Sequence, residues 1–123
     1  MSAKIVLVIE DEPSIRQIIE EILNGEGYST LLFENGRGAL EHLQKATSPV
    51  PNLIFLDMAM PIMSGSEFRK LQLQDPKLAL IPTVIMSAAR DIRKEALDLK
   101  ATHLLRKPME IDDLIEVARR FST

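Results

Sequence analysis

Five side chains in this sequence are of types that could do chemistry together: Glu10, Asp11, Asp57, Ser87 and Lys107. Each follows a short apolar run: Glu10-Asp11 comes after IVLVI, Asp57 after LIFL, Ser87 after TVIM, and Arg106-Lys107 after HLL. An acid directly after such a run is usually a helix cap or a solvated loop residue, and a lysine before proline is usually a surface group. Together they imply more. Two like charges about 4 Å apart repel by about 4 kcal/mol at an effective dielectric near 20. Glu10, Asp11 and Asp57 carry three negative charges, and Lys107 returns one positive charge. If these groups meet, the uncompensated charge raises carboxylate pKa values or splays the site apart unless a divalent cation is bound. Oxygen ligands without histidine or cysteine favour Mg2+, with water completing its octahedron.

What brings them together must be read from the elements. KIVLVIE, YSTLLFE, LIFL (Leu53–Leu56), IPTVIMSA and THLLR read as five strands. The continuous apolar runs among them indicate strands buried on both faces. Between the strands the period changes to that of one-sided helices. The first helix begins at Pro13 with Ile15, Ile18, Ile19, Ile22 and Leu23 and stops at Gly25. The second carries Ala39, Leu40, Leu43 and Ala46. The third follows Gly65 with Phe68 and Leu71 and ends near Asp75-Pro76. A shorter, more charged fourth runs from about Asp91 to Leu99, and the last carries Ile111, Leu114, Ile115, Ala118 and Phe121. Alternating βα units predict an α/β, doubly wound (βα)5 flavodoxin-like sandwich. Its five-stranded parallel sheet has the order 2-1-3-4-5, with helices on both faces. In that order the winding reverses between strands one and three. The carboxyl ends of the central strands, where the five chemical residues sit, then form the ligand-binding rim.

Composition agrees with a folded domain and excludes several alternatives. The chain has 123 residues, 46% apolar and 27% charged, enough for one domain spanning 1–123 with its own core. With no cysteine there is no disulfide framework and no thiolate chemistry, which fits a reducing cytoplasmic setting. Met1-Ser2-Ala3-Lys4 leads into an apolar run too short for a signal peptide or membrane span. A net charge of −3 and a pI near 5.4 give no field favouring nucleic acid or an anionic membrane. No repeat, low-complexity tract or linker is visible, and from the short tail after the last helix no effector domain is expected.

At these residues the sequence resembles the receiver domain of two-component response regulators, in its single-domain form. VIEDEP matches the family's acidic pair, DMAMPIMSG its phosphoacceptor strand end and following loop, MSA its hydroxyl position, and LLRKP its lysine-proline. The four motifs occur in order and span essentially the whole chain. The resemblance implies that Asp57 accepts a phosphoryl group from a sensor histidine kinase or a histidine phosphotransfer protein. It implies that Glu10, Asp11, Asp57 and the Ala59 backbone carbonyl hold Mg2+, while Ser87 and Lys107 contact the phosphoryl oxygens. A cis Lys107-Pro108 bond would aim the lysine inward. The protein would catalyse its own phosphorylation and dephosphorylation without being a conventional enzyme. Its output would pass to an unidentified partner through the fourth helix, fifth strand and fifth helix.

The sequence departs from the family at four places. Leu104 stands where a tyrosine or phenylalanine is usual, so switching is expected through backbone and loop shifts or through a constitutively apolar fifth strand. Ala59 and Ala89, two residues after Asp57 and Ser87, can neither orient a water nor shield the phosphoryl group, which implies a long-lived phosphoform. Lys100-Ala101 replaces the usual glycine-alanine.

Other residues read more plainly. Met58, Met60 and Met63 are gap-fillers rather than metal ligands. His42 and His103 have no ligand-spaced partner, and Arg90, Arg93 and Lys94, interleaved with acids, form a solvated face that could also serve as output surface. A haloacid-dehalogenase-type phosphatase would need an acid where Ala59 stands. A flavin phosphate would be repelled by Glu10-Asp11-Glu12. A receiver reduced to an interaction module is the hardest rival to exclude; its usual sign is loss of the acidic pair, the aspartate or the lysine, and all are present.

Overall fold

The computed structural model describes residues 3–45 and 47–122; Ala46, assigned above to the second helix, lies outside them. The elements in chain order are β1 (Ile5–Ile9), α1 (Pro13–Gly25), β2 (Ser29–Phe33), α2 (Gly36–Gln44), β3 (Leu53–Asp57), α3 (Gly65–Gln74), β4 (Thr83–Ser87), α4 (Ile92–Asp98), β5 (His103–Arg106) and α5 (Ile111–Phe121). All strand pairs are parallel, and the sheet order is β2-β1-β3-β4-β5, as expected.

The pleat explains why β1 and β3 are apolar throughout. Val6, Val8, Leu53 and Phe55 pack with Ile19 and Leu23 of α1 and Leu114, Val117 and Ala118 of α5. Leu7, Ile9, Ile54 and Leu56 face the opposite layer, where Ala39, Leu40 and Leu43 of α2 meet Phe68 of α3. Ile85 packs separately with Ile92, Ala96 and Leu99 under α4. Both faces of the central strands are covered, so alternation disappears from their sequence. Among the described residues no helix is long and apolar enough to cross a membrane.

Local signals set the helix starts. Glu12 caps α1 by accepting from the Ser14 amide at 3.2 Å, with Pro13 next in the first turn. Asn35 accepts from the Gly38 amide at 3.0 Å to cap α2, and Ser64 and Glu67 form a reciprocal capping box on α3. The N-caps of α4 and α5, Asp91 and Glu110, make no side-chain capping bond.

Three helical faces differ from the sequence reading. Leu71 is 39% exposed, whereas α3 buries Phe68, Arg69 and Gln72. Ile18 of α1 and Ile111 of α5 are exposed and flank a groove of about 220 Å3 between these helices, floored by Ile19 and Leu114. Val117, rather than Ile111, completes the buried stripe of α5. Two non-glycine residues take left-handed backbone: Ile62 (φ 69) in the β3–α3 loop and Lys100 (φ 55) just past α4. At Lys100 the replacement of glycine therefore has a backbone consequence.

Candidate functional site

The sheet delivers the chemical residues through main-chain bonds that leave little play. Glu10 leaves β1 with its amide donating to the Phe33 carbonyl (3.0 Å), while its own carbonyl accepts from Arg16 Nη1 (2.8 Å). Asp57 is the last residue of β3. The following amide, Met58 N–H, donates to the Met86 carbonyl (3.3 Å), and Gly65 N–H closes the loop onto the Met58 carbonyl (3.2 Å). Lys107 N–H donates to the Ser87 carbonyl (2.9 Å), so the ends of β4 and β5 are tied to each other.

The side chains converge on that frame. Lys107 Nζ lies 2.5 Å from Glu10 Oε1 and 3.2 Å from Asp57 Oδ1, bridging the two acids. Asp57 Oδ1 also accepts from the Ala59 amide at 3.4 Å, and Glu10 Oε2 from the Glu12 amide at 3.2 Å. Ser87 Oγ accepts from the Ala89 amide at 3.1 Å. Glu10 is fully buried and Asp57 is 3% exposed, whereas Asp11 is open to solvent.

The electrostatics follow the geometry. Burial, then the adjacent Glu10 charge, push Asp57 up to about 7, with Lys107 opposing them. Burial alone would lower the Lys107 ammonium. Its hydrogen bond to Glu10 and the charges of Asp57 and Glu10 outweigh that and leave it raised. One lysine thus fails to neutralise the acids. Glu10, Asp11 and Asp57 can each offer an oxygen, all within 4.8 Å of one another. Three hard oxygen donors, residual negative charge and an open side at Asp11 fit a divalent cation.

Of the residues named from the sequence, Glu10, Asp11, Asp57 and Lys107 form one constellation. Ser87, buried at the adjoining end of β4, borders it. Ala59 and Ala89 are exposed, with their amides turned to Asp57 and Ser87. The Lys107-Pro108 peptide is cis. Leu104 is half-buried and packs against the cluster of Ile85, Ile92, Ala96 and Leu99. Glu12, third in the acidic run, turns away to cap α1. His42 lies 5.3 Å from the Phe33 ring and His103 5.2 Å from that of Phe121, both outside the site. The sequence reading missed the Arg16 bond to Glu10. It also missed a buried polar cluster around Arg69, which no local pattern announces.

Comparison with known proteins agrees with this arrangement. The family model described as the response regulator receiver domain matches residues 6–119. Sporulation initiation phosphotransferase F of Bacillus subtilis is 31% identical over 94% of this chain and 91% of its own length. The DNA-binding transcriptional regulator NtrC of Escherichia coli (strain K12) is 32% identical over 98% of this chain, which spans a quarter (25%) of that protein. The solved structure of the chemotaxis response regulator CheY4 of Vibrio cholerae superposes with a TM-score of 0.88 at 30% identity, covering 98% of this chain and 99% of its own.

Proposed function

Because this chain belongs to the response regulator receiver family of two-component signalling, we propose that it is a phosphorylation-driven switch with Asp57 as phosphoacceptor. The observation that carries this reading is the position of Asp57. It ends a central strand, with Lys107 Nζ 3.2 Å from Oδ1 and two further acids within cation-sharing distance. The donor is a phosphohistidine on a sensor kinase or phosphotransfer protein. Its N–P bond breaks as an Asp57 carboxylate oxygen bonds phosphorus, and the released imidazole takes up a proton.

The chain's own residues position and neutralise. Asp57 must be ionised to attack, and Lys107 favours that state. On transfer its charge goes from about −1 to about −2. Lys107 then swings its ion pair toward the phosphoryl oxygens, and the Ser87 hydroxyl donates to one of them. Glu10, Asp11, Asp57 and the Ala59 carbonyl would hold Mg2+, which supplies positive charge at the transferring oxygens.

Output passes through the surface of α4, β5 and α5. There Leu97 is 73% exposed and borders a depression lined by Arg93, Leu104 and Arg106. Leu104 has no ring or hydroxyl to reorient, so the signal travels through Ser87 and the β4–α4 loop. A rotamer change at Leu104 in step with Ser87 on beryllofluoride binding would count against that route.

Intact mass after acetyl phosphate with Mg2+ tests the central claim. The wild type is expected to gain roughly 80 Da, one phosphoryl group, and Asp57→Asn to gain nothing. An unmodified wild type overturns the reading, and an adduct on Asp57→Asn moves the site elsewhere.

A further inference from the structure

Arg69 is the most deeply buried cation of the described residues, 4% exposed, and no carboxylate among them pairs with it. A buried charge without a counter-ion is costly unless its donors are satisfied. Here the guanidinium forks across two elements. Nε donates to the Leu99 carbonyl (3.0 Å) and Nη2 to the Lys100 carbonyl (2.8 Å), while Nη1 donates to Thr83 Oγ1 (3.0 Å) and Gln72 Oε1 (2.9 Å). Gln72 and Thr83, both fully buried, extend the cluster. Gln72 Nε2 donates to the Leu78 carbonyl (3.0 Å), and Thr83 N–H donates to Thr102 Oγ1 (3.0 Å).

The two carbonyls gripped by Arg69 close the carboxyl end of α4. Such carbonyls lack helical partners and carry the negative end of the helix dipole, so a cation there compensates both. Left-handed Lys100 turns the chain at this point. Thr83 begins β4, the strand whose other end carries Ser87. Arg69 therefore holds both ends of the β4–α4 unit that are remote from Asp57. The near end has no such buried polar grip. Asp91 makes no capping bond and residues 88–91 are exposed; what holds this end is Ile92 packed on Ile85 and an exposed bond from Arg106 Nη1 to the Ala89 carbonyl (3.2 Å). A seven-residue helix has little stability of its own.

We propose that Arg69 is an internal clamp that makes α4 a one-end-anchored lever: displacement at the β4–α4 loop turns the helix about its carboxyl end rather than carrying it as a body. Arg69 touches no reacting atom and is a positioning residue. The lever motion rests on the switch reading above; the clamp does not.

Amide hydrogen exchange tests both parts. The central variant is Arg69→Leu/Gln72→Leu/Thr83→Val, because replacing buried polar groups with apolar ones of similar volume can leave global stability unchanged. In the unmodified protein the amides of Leu99, Lys100 and Ala101 are expected to lose about 10-fold or more protection in this variant, with the β1 and β3 amides unchanged. Arg69→Lys, which keeps a cation but not the fork, reads the same amides if the triple variant fails to fold. Leu43→Ala is the control for general destabilisation and should lower the protection of β1, β3 and these amides alike.

With beryllofluoride and Mg2+, wild-type changes should be confined to about residues 87–96 and extend past residue 97 only in the clamp variants. Unchanged protection at 99–101 in the clamp variants overturns the clamp. A wild-type response at 97–101 as large as at 88–93 overturns the lever. Failure of acetyl phosphate to label the wild type would sink the switch reading and the lever with it, leaving the clamp to be judged on the exchange of unmodified protein.

Discussion

Gly65 and Asp57 meet backbone to backbone: a β-carbon on Gly65 would run into the Asp57 carbonyl oxygen and lie 2.8 Å from the Met58 Cα. Neither obstacle is a flexible side-chain end, so the β3–α3 loop can close behind the acid only if residue 65 has no side chain. Gly65→Ala should therefore cost about 1–3 kcal/mol in urea denaturation, the range for overpacking. It should also slow acetyl-phosphate labelling, since the strand end itself must shift. A variant as stable and as rapidly labelled as wild type would refute this account of the loop.

Lys107 is the one cation bridging Glu10 and Asp57 among the described residues. Removing it leaves two buried carboxylates facing each other. Lys107→Ala should lower metal-free stability by about 3 kcal/mol, as expected when one partner of a buried pair is lost. Millimolar Mg2+ should restore part of that loss while phosphorylation stays slow. Lys107→Arg should not restore labelling, because a planar fork does not replace a compact ammonium. Chemical denaturation with and without Mg2+ checks the first claim and mass spectrometry the second.

The central strand ends were legible because a parallel strand covered on both faces must be apolar along its length, so the interruptions at Glu10, Asp57 and Ser87 marked a rim, whereas β5, an edge strand with only Leu105 buried, marks it more weakly at Arg106-Lys107. Helix faces were less legible. Leu71, Ile18 and Ile111 continued apolar periods yet point outward, whereas Arg69 and Gln72 point inward. Hydropathy assigns a polar residue to solvent. It cannot register that the partners of Arg69, Thr83 and the carbonyls of Leu99 and Lys100, arrive from distant segments. Glu12 was ambiguous for another reason, since consecutive acids can serve a cation or cap a helix, and only the folded chain shows Glu12 accepting from the Ser14 amide while Glu10 is buried against Lys107.

Asp57 gives the metal-free protein a defined pH dependence. Its carboxyl is raised from 3.8 to about 7 by burial and by Glu10. Between those values the folded state keeps a proton that the unfolded state has lost, so stability falls as pH rises through this window. Asp57→Asn removes that penalty. Without metal it should melt above wild type by several degrees at about pH 8 and level with it near pH 4. Mg2+ should reverse the ranking at about pH 8, because only the wild type offers the full set of three carboxylates. An Asp57→Asn variant less stable than wild type at about pH 8 in chelator would contradict this reading.

If Asp57 is phosphorylated as proposed, the lifetime of the phosphoform is expected to depend on Ala59 and Ala89. Both are exposed, and their amides already point to Asp57 Oδ1 and Ser87 Oγ. Under the proposed function their side chains would stand beside the water that attacks an Asp57 phosphoryl group. A methyl group cannot orient that water or take its proton, so hydrolysis is expected to proceed without the assistance that a positioned side chain supplies. Ala59→Asn and Ala89→Glu each add a polar group at that entrance and should speed loss of the phosphoryl group by about 10-fold or more, the lower range of general acid–base assistance. Because both sites are exposed, stability should hardly change, which separates an effect on water from an effect on folding. Decay of the roughly 80 Da adduct, followed by intact mass after removal of acetyl phosphate, gives the rate directly. Decay unchanged in both variants would mean that the backbone and bound cation, rather than these two side chains, set how long the signal persists.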